Sequence, residues 1–274
     1  MKLLKVLLII AAVLALIYLY NFNQVSKFRV RDIKIESHKI KNNIKITQIT
    51  DFHSNHLIDI DKMRMEIEKF NPDFIVLTGD IIDHKDTELD IVTKMLESIS
   101  KLDKDIYFVE GNHEMRNGLY KDLKNEMERL SIIILENDSK VVMVNGEEIN
   151  FTGLNFTPGS RAYEEATNYQ EATKNLNVDY YNVLLLHSPN NIENLSDSKA
   201  DLVLSGHAHG GQIRLPIIGS IVAPGQGLFP KHDKGIFKIG NLVLYIDSGL
   251  GNSLAPLRAF NPVQFSNITI EPKK

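Results

Sequence analysis

The feature that most constrains the fold is a repeated rhythm: short apolar runs, each closed by glycine, Asp, Asn or His. Ile44 to Ile49 ends at Thr50-Asp51, Phe74 to Thr78 at Gly79-Asp80, and Ile106 to Val109 at Glu110-Gly-Asn-His113. Tyr181 to Leu186 ends at His187, and Leu202-Val-Leu204 ends at Ser205-Gly-His207. Runs this short and this rich in Ile, Val and Leu read as buried strands. Helical spacing lies between the early runs. Asp61 to Phe70 puts Met63, Ile67 and Phe70 on one face and is closed by Asn71-Pro72. Thr87 to Leu102 repeats Leu89, Val92, Leu96 and Ile99, and Tyr120 to Leu130 repeats Leu123, Met127 and Leu130. The alternation predicts an α/β fold. After Ser131 the apolar runs crowd together around Asn145-Gly146, a hairpin signal, so the sheet is expected to continue with antiparallel or mixed strands. A further helix is expected over Ala162 to Leu176.

Ahead of this rhythm stands an uninterrupted apolar run from Val6 to Tyr20. With Leu3 and Leu4 it reaches the ~20 residues that a membrane helix needs. A cleaved signal is the rival, but its apolar core is usually about 7–15 residues. No Ala-x-Ala site follows; Asn21-Phe-Asn-Gln-Val-Ser26 comes next. A buried core helix fits poorly, because no polar residue interrupts any face. Residues 1–22 are therefore expected to be an uncleaved anchor, 23–43 a juxtamembrane segment with a first strand, and 44–274 one catalytic-sized domain. Lys2 and Lys5 oppose Lys27, Arg29 and Arg31, which leaves the positive-inside count balanced. The very short leading tail favours a signal anchor with the domain on the extracytoplasmic side. The absence of cysteine excludes disulfides, thiolate metal ligands and a thiol nucleophile. A formal charge of −4 gives no reason to expect nucleic acid as a partner.

The polar residues that close the runs carry the chemistry. In open α/β sheets ligands bind beyond the carboxyl ends of the strands, and five runs would deliver Asp, His and Asn to one such edge. These donors bind divalent metal through oxygen and imidazole. In an extended segment residues i and i+2 point the same way. Asp51 and His53, or His207 and His209, therefore converge on one ion or divide between two. Glycines 79, 111, 206 and 210 would let the backbone turn sharply beside the site. Each residue alone has a plainer reading: His187 as a bonded core histidine, Asp51 as a cap, Asn112 as a turn residue. None of those readings accounts for the order.

The ordered set Asp51-Phe-His53, Gly79-Asp80-Ile-Ile-Asp83, Gly111-Asn112-His113-Glu114, His187 and Gly206-His207-Ala-His209 resembles the calcineurin-like metallophosphoesterase family. Gly210-Gly-Gln-Ile-Arg-Leu-Pro216, Val222-Ala-Pro224, Asp247-Ser-Gly-Leu-Gly251 and Pro256-Leu-Arg258 look like its membrane-associated bacterial branch, similar to envelope phosphodiesterases and UDP-2,3-diacylglucosamine pyrophosphatases. The resemblance implies a metallophosphoesterase-type α/β sandwich of mixed sheets flanked by helices. It also implies a dinuclear centre, with one divalent ion on Asp51, His53, Asp80 and His209. The other would sit on Asp80, Asn112, His187 and His207, so that Asp80 bridges. A bridging hydroxide would then attack phosphorus in line, and His113 would contact the phosphoryl oxygen or protonate the leaving group.

Asp83 and Glu114 are expected to orient the ligands or His113. Arg214 is expected as a phosphate contact or a structural ion pair. Manganese is the metal expected from the resemblance, and the donors also suit Fe, Zn, Co or Mg. The implied activity is hydrolysis of a phosphodiester, pyrophosphate or phosphomonoester. A lipid-linked nucleotide pyrophosphatase is the rival within the class, and a membrane-tethered, non-catalytic binding scaffold the rival outside it. The partners would be a small phosphorylated or lipid-phosphate substrate and a membrane. His38, His56, His84 and His232 match no family position and read as surface or orienting residues. Asn155 and Thr157 stand where related proteins carry acidic residues, a departure on the substrate side.

Overall fold

The leading apolar run forms α1 (Lys2–Ser26) and stays outside the core, exposed along its length until Gln24 and Val25 bury against the domain. The computed structural model describes residues 2–156, 173–174, 176–252 and 257–273. The helix continues four residues past the expected boundary at 22. It is long and apolar enough to cross a membrane.

The domain begins with β1 (Arg29–Ser37) and β2 (Ile44–Ile49). Helix α2 (Ile60–Phe70) leads to β3 (Phe74–Thr78), α3 (Asp90–Ser100) to β4 (Asp105–Val109), and α4 (Tyr120–Arg129) to the short β5 (Ile133–Ile134). Asp59 caps α2 by accepting from the Lys62 N–H at 2.9 Å, and Asn71 ends it in the left-handed region at φ 51°, just before Pro72. The second half contributes β6 (Ser139–Val144), β7 (Glu147–Leu154), β8 (Tyr181–Leu186) and β9 (Leu202–Ser205). Two small hairpins follow, β10 (Arg214–Leu215) with β11 (Gly219–Ser220) and β12 (Val222–Ala223) with β13 (Gly227–Leu228). Strands β14 (Gly235–Ile239), β15 (Leu242–Ile246) and β16 (Gln264–Pro272) complete the chain.

These strands build two six-stranded sheets, ordered β1-β16-β2-β3-β4-β5 and β14-β15-β9-β8-β7-β6. Both are mixed: β16 runs parallel to β1 and antiparallel to β2, and the β14–β15 and β6–β7 pairs are antiparallel. The Asn145-Gly146 hairpin therefore opens a second sheet instead of extending the first, with both turn residues at positive φ. Period-two alternation sorts the apolar side chains. Ile75 and Leu77 pack against the helices with Met63, Leu96 and Met127, while Val76 and Tyr107 meet Phe151, Val183 and Leu204 between the sheets. Leu184, Val203 and Leu244 line the outer face of the second sheet. The helix expected over 162–176 lies outside the described residues apart from Thr173, Lys174 and Leu176.

Candidate metal centre

The donor residues follow five strands of two sheets, not one edge as their spacing suggested. Asp51, Asp80 and Asn112-His113 follow β2, β3 and β4 of the first sheet; His187 and His207–His209 follow β8 and β9 of the second. The carboxyl ends of the facing layers thus meet at one centre. Nor does an extended backbone aim the paired donors. Asp51, His53, Asp80, His207 and His209 all have positive φ, between 45° and 65°. Such conformations are uncommon outside glycine and are tolerated where the surrounding structure over-determines them.

The glycines divide into two kinds. Gly79 and Gly210 do need positive φ (84° and 59°). Gly206 is required for space: a Cβ there would press against Thr50 Oγ1 and Asp51 Oδ2. Gly111 is similar, since its Cβ would meet Asp80 Oδ1.

Two clusters of donors result. In one, His53 Nε2 and His209 Nε2 face each other at 3.2 Å, with Asp51 Oδ1 3.4 Å from His209 Nε2. In the other, Asp80 Oδ2 lies 3.2 Å from His187 Nε2, which itself lies 3.2 Å from His207 Nδ1. Asp80 Oδ2 also sits 3.7 Å from His53 Nε2, so this carboxylate stands between the clusters. Hydrogen bonds fix the rings. His187 Nδ1 donates to the Thr78 carbonyl at 2.8 Å, which turns its Nε2 inward toward Asp80. Asp83 Oδ2 lies 3.6 Å from His53 Nδ1 and 3.3 Å from His113 Nδ1. Burial raises the Asp80 carboxyl, yet the charge and hydrogen bond of His187 outweigh it and hold Asp80 far below the usual carboxylate range. Burial, then the charge of His187, pushes His207 down to about 3, and burial with the neighbouring His53 and Arg258 charges holds His209 well below the usual imidazole range.

Glu114 ties two loops together. Its buried carboxylate accepts from the N–H groups of Asp80 (2.8 Å), Ile81 (2.6 Å), Ile82 (3.2 Å) and Gly111 (2.7 Å). His113 Nδ1 accepts from the His84 backbone N–H at 3.0 Å, which leaves the ring proton on Nε2, 4.0 Å from Asp80 Oδ2. Burial pushes this imidazole down to about 4, which favours the neutral ring and leaves Nε2–H as a hydrogen-bond donor. Arg214 forms a structural ion pair with Asp233 at 2.5 Å and a 3.1 Å bond to the Gly210 carbonyl.

The arrangement fits divalent metal. Asn112 Oδ1 is buried with no hydrogen-bond partner, in a cavity of about 600 Å³ that it shares with Asp80, His113 and His207. Imidazole nitrogens face one another at 3.2 Å in both clusters, a spacing that an N–H···N hydrogen bond or a cation held between the rings would fill.

Several contributors were given no definite role in the centre by the sequence. Phe156 places its ring 6.2 Å from both His187 and His207. His84, which matches no family position, lines the cavity and orients His113. The fully buried Arg258, quoted in Pro256-Leu-Arg258 but given no role there, and Asn261, outside every motif, brace His209: Asn261 Nδ2 donates to the His209 carbonyl at 2.7 Å. Thr157 lies outside the described residues, and Asn155 donates its backbone N–H to Asn137 Oδ1.

Residues 44–211 match the model of the calcineurin-like phosphoesterases. The chain is 27% identical over 261 residues to the uncharacterized metallophosphoesterase YkuE of Bacillus subtilis, covering 87% of this chain and 86% of that one. It is 29% identical over 262 residues to an uncharacterized metallophosphoesterase of Aquifex aeolicus, covering 93% and 96%. Among solved structures, TT1561 of Thermus thermophilus shares the fold at a TM-score of 0.53 and 10% identity, over 76% of this chain and 91% of that one. The NAD nucleotidase NadN of Haemophilus influenzae gives 0.50 and 17%, over 77% and 46%. A match over most of the chain, together with donors from five strand ends converging in one buried centre, leads to one conclusion: the chain belongs to the calcineurin-like phosphoesterase family.

Proposed function

We propose that the protein hydrolyses a phosphodiester, pyrophosphate or phosphomonoester with two divalent ions. Asp51, His53, Asp80 and His209 would hold one ion, and Asp80, Asn112, His187 and His207 the other. The observation that carries this reading is the orphaned Asn112 Oδ1 beside two pairs of facing imidazole nitrogens, since that donor set asks for cations. When bound, such ions lower the pKa of water and stabilise charge on phosphoryl oxygens. The residues around them do the rest. His113 presents Nε2–H to the leaving oxygen, Asp83 holds the His53 ring in place, and Glu114 fixes the loops that carry Asp80 and Asn112. Lys85 and Arg116, on the cavity wall, supply positive charge toward an anionic substrate. A complete donor set argues for catalysis over a binding scaffold.

A second reading, a lipid-linked pyrophosphate as substrate, is favoured by the opposite wall, where Phe156, Ile213, Val222 and Leu257 offer apolar surface. The test is metal analysis of the full-length protein, with hydrolysis assays on aryl phosphate mono- and diesters, nucleotide diphosphate sugars and lipid phosphates under several divalent ions. Metal-stimulated turnover is expected; absence of both bound metal and metal-stimulated turnover overturns the proposal. Faster turnover of lipid-linked pyrophosphates than of the soluble esters favours the second reading.

A further inference from the structure

Among the described residues, the bulky apolar side chains that sit at positive φ are Ile217 (73°), Phe229 (52°) and Phe260 (52°). All three are exposed, and Ile217 stands fully in solvent at the tip of the β10–β11 hairpin. A β-branched residue held in that conformation with nothing packed on it is a genuine outlier. The fold presents these side chains outward at a conformational cost.

They belong to one strip. Ala259 exchanges backbone bonds with Gln212 (3.2 Å) and Arg214 (2.9 Å), which joins the segment carrying Leu257 and Phe260 to the β10–β11 hairpin. Ile221 bonds back to Ile213, and the Phe229 N–H donates to the Ile221 carbonyl at 2.8 Å, which adds the β12–β13 hairpin with Leu228. No Asp or Glu occurs between Asp201 and Asp233. At its other end the strip reaches α1. The Phe260 N–H donates to the Tyr20 hydroxyl at 2.8 Å, and their ring centroids lie 5.9 Å apart. Tyr18 and Tyr20 close the apolar span of α1, the position at which aromatic residues mark a membrane–water interface.

We propose that this strip (Ile217, Ile218, Leu228, Phe229, Leu257 and Phe260) is a bilayer-contact surface that seats the domain against the membrane α1 enters. The inference rests on the reading of α1 as a membrane helix. Continuity selects the lipid surface as occupant, because the strip begins on the residue where the apolar span ends. Leu257 also lines the cavity, so the mouth of the metal centre opens at the level of the headgroups. A phosphate joined to an acyl or isoprenoid chain would then reach the metal centre while its chain stayed in lipid.

The absence of cysteine makes the test direct. Ile217→Cys, Phe229→Cys, Met65→Cys on the exposed face of α2, and Leu14→Cys within α1 are each labelled with an environment-sensitive fluorophore. The full-length proteins are reconstituted into vesicles of phosphatidylethanolamine and phosphatidylglycerol, with and without spin-labelled lipid quencher. The expected result is blue-shifted emission, strongly quenched by the lipid quencher, at positions 217, 229 and 14 but not 65. Quenching at 14 with positions 217 and 229 behaving like 65 overturns the proposal and leaves the anchor standing. No quenching at 14 removes the anchor reading, and the proposal falls with it. Blue-shifted emission at 217 and 229 without lipid quenching means that protein, such as a second copy of the chain, covers the strip, and this also overturns it.

Discussion

Arg258 and His209 are in contact: the buried guanidinium places Nη2 3.4 Å from Nδ1 of the histidine. Nη2 also donates to the Ser248 and Gly251 carbonyls, both at 2.6 Å, Nη1 to the Asn261 carbonyl at 3.3 Å, and Nε to Asn252 Oδ1 at 3.1 Å. The cation is held by backbone and amide dipoles, and among the described residues no carboxylate bonds to it directly. It sets the height of the loop on which His209 rides and disfavours the charged form of that ring. A neutral ring is the form that ligates metal.

Arg258→Ala should therefore destabilise the metal-free protein by about 3–5 kcal/mol, the cost of breaking a buried charged network. Chemical denaturation measures it. Arg258→Lys keeps the charge but not the planar fork. It should fold, bind metal more weakly by calorimetry, and regain part of its activity at high metal concentration.

The end of α1 belongs to the domain. Gln24 accepts from the Asn261 N–H through Oε1 (3.2 Å) and from the Val263 N–H through its carbonyl (2.9 Å), and the Val25 carbonyl accepts from Asn55 Nδ2 (3.0 Å). A chain beginning at Lys27 should melt several degrees below one beginning at Leu19, since each lost buried bond costs about 0.5–1.5 kcal/mol. Thermal denaturation of the two truncations compares them directly.

His113→Asn should retain metal content and lower turnover by about 10²–10⁴ on substrates whose leaving groups need a proton. On an aryl ester with an acidic phenol the loss should shrink, because that leaving group departs without help. A plot of rate against leaving-group pKa, steeper in the variant, is the measurement. Equal losses across the series would rule out the proton at Nε2 as the cause.

Removal of metal should lower the melting temperature, and re-addition should raise it in a concentration-dependent way, worth about 2.7 kcal/mol at a hundredfold excess over Kd. Metal binding needs deprotonated donors. Burial lowers the His187 and His53 rings, but Asp80 for His187 and Asp83 for His53 outweigh it and raise both, His187 to about 10. The ion must displace their protons, so its affinity should fall as pH drops. Melting curves at a fixed ion concentration across pH 5 to 8 test the sign: the metal-induced increment should diminish toward the acid end.

Much of this architecture was readable from residues alone, for an identifiable reason. Buried strands such as Phe74–Thr78 and Tyr181–Leu186 are short, branched and sharply bounded, so the donors that follow them could be placed at strand ends. What escaped depends on long-range geometry. The division of those ends between two layers depends on β8 and β9 pairing with β7 and β15 in a sheet apart from β2, β3 and β4. The polar stretch Asn21–Ser26 was divided between anchor and juxtamembrane segment because hydropathy stops at Tyr20, whereas Asn21 and Gln24 accept from the N–H groups of Arg258 and Asn261. Pleat geometry was the wrong guide at Asp51, His53, His207 and His209, since Asp and His give no local signal for a left-handed turn. Arg258 and Phe156 reach the centre only through tertiary packing.

The left-handed backbone at those donor positions sets heat resistance against chemistry. Glycine would relax each of these turns, and asparagine would sit there more easily than histidine. A library selected only for survival at high temperature should therefore gather substitutions at Asp51, His53, Asp80, His207 and His209, yielding sturdier proteins that no longer turn over substrate.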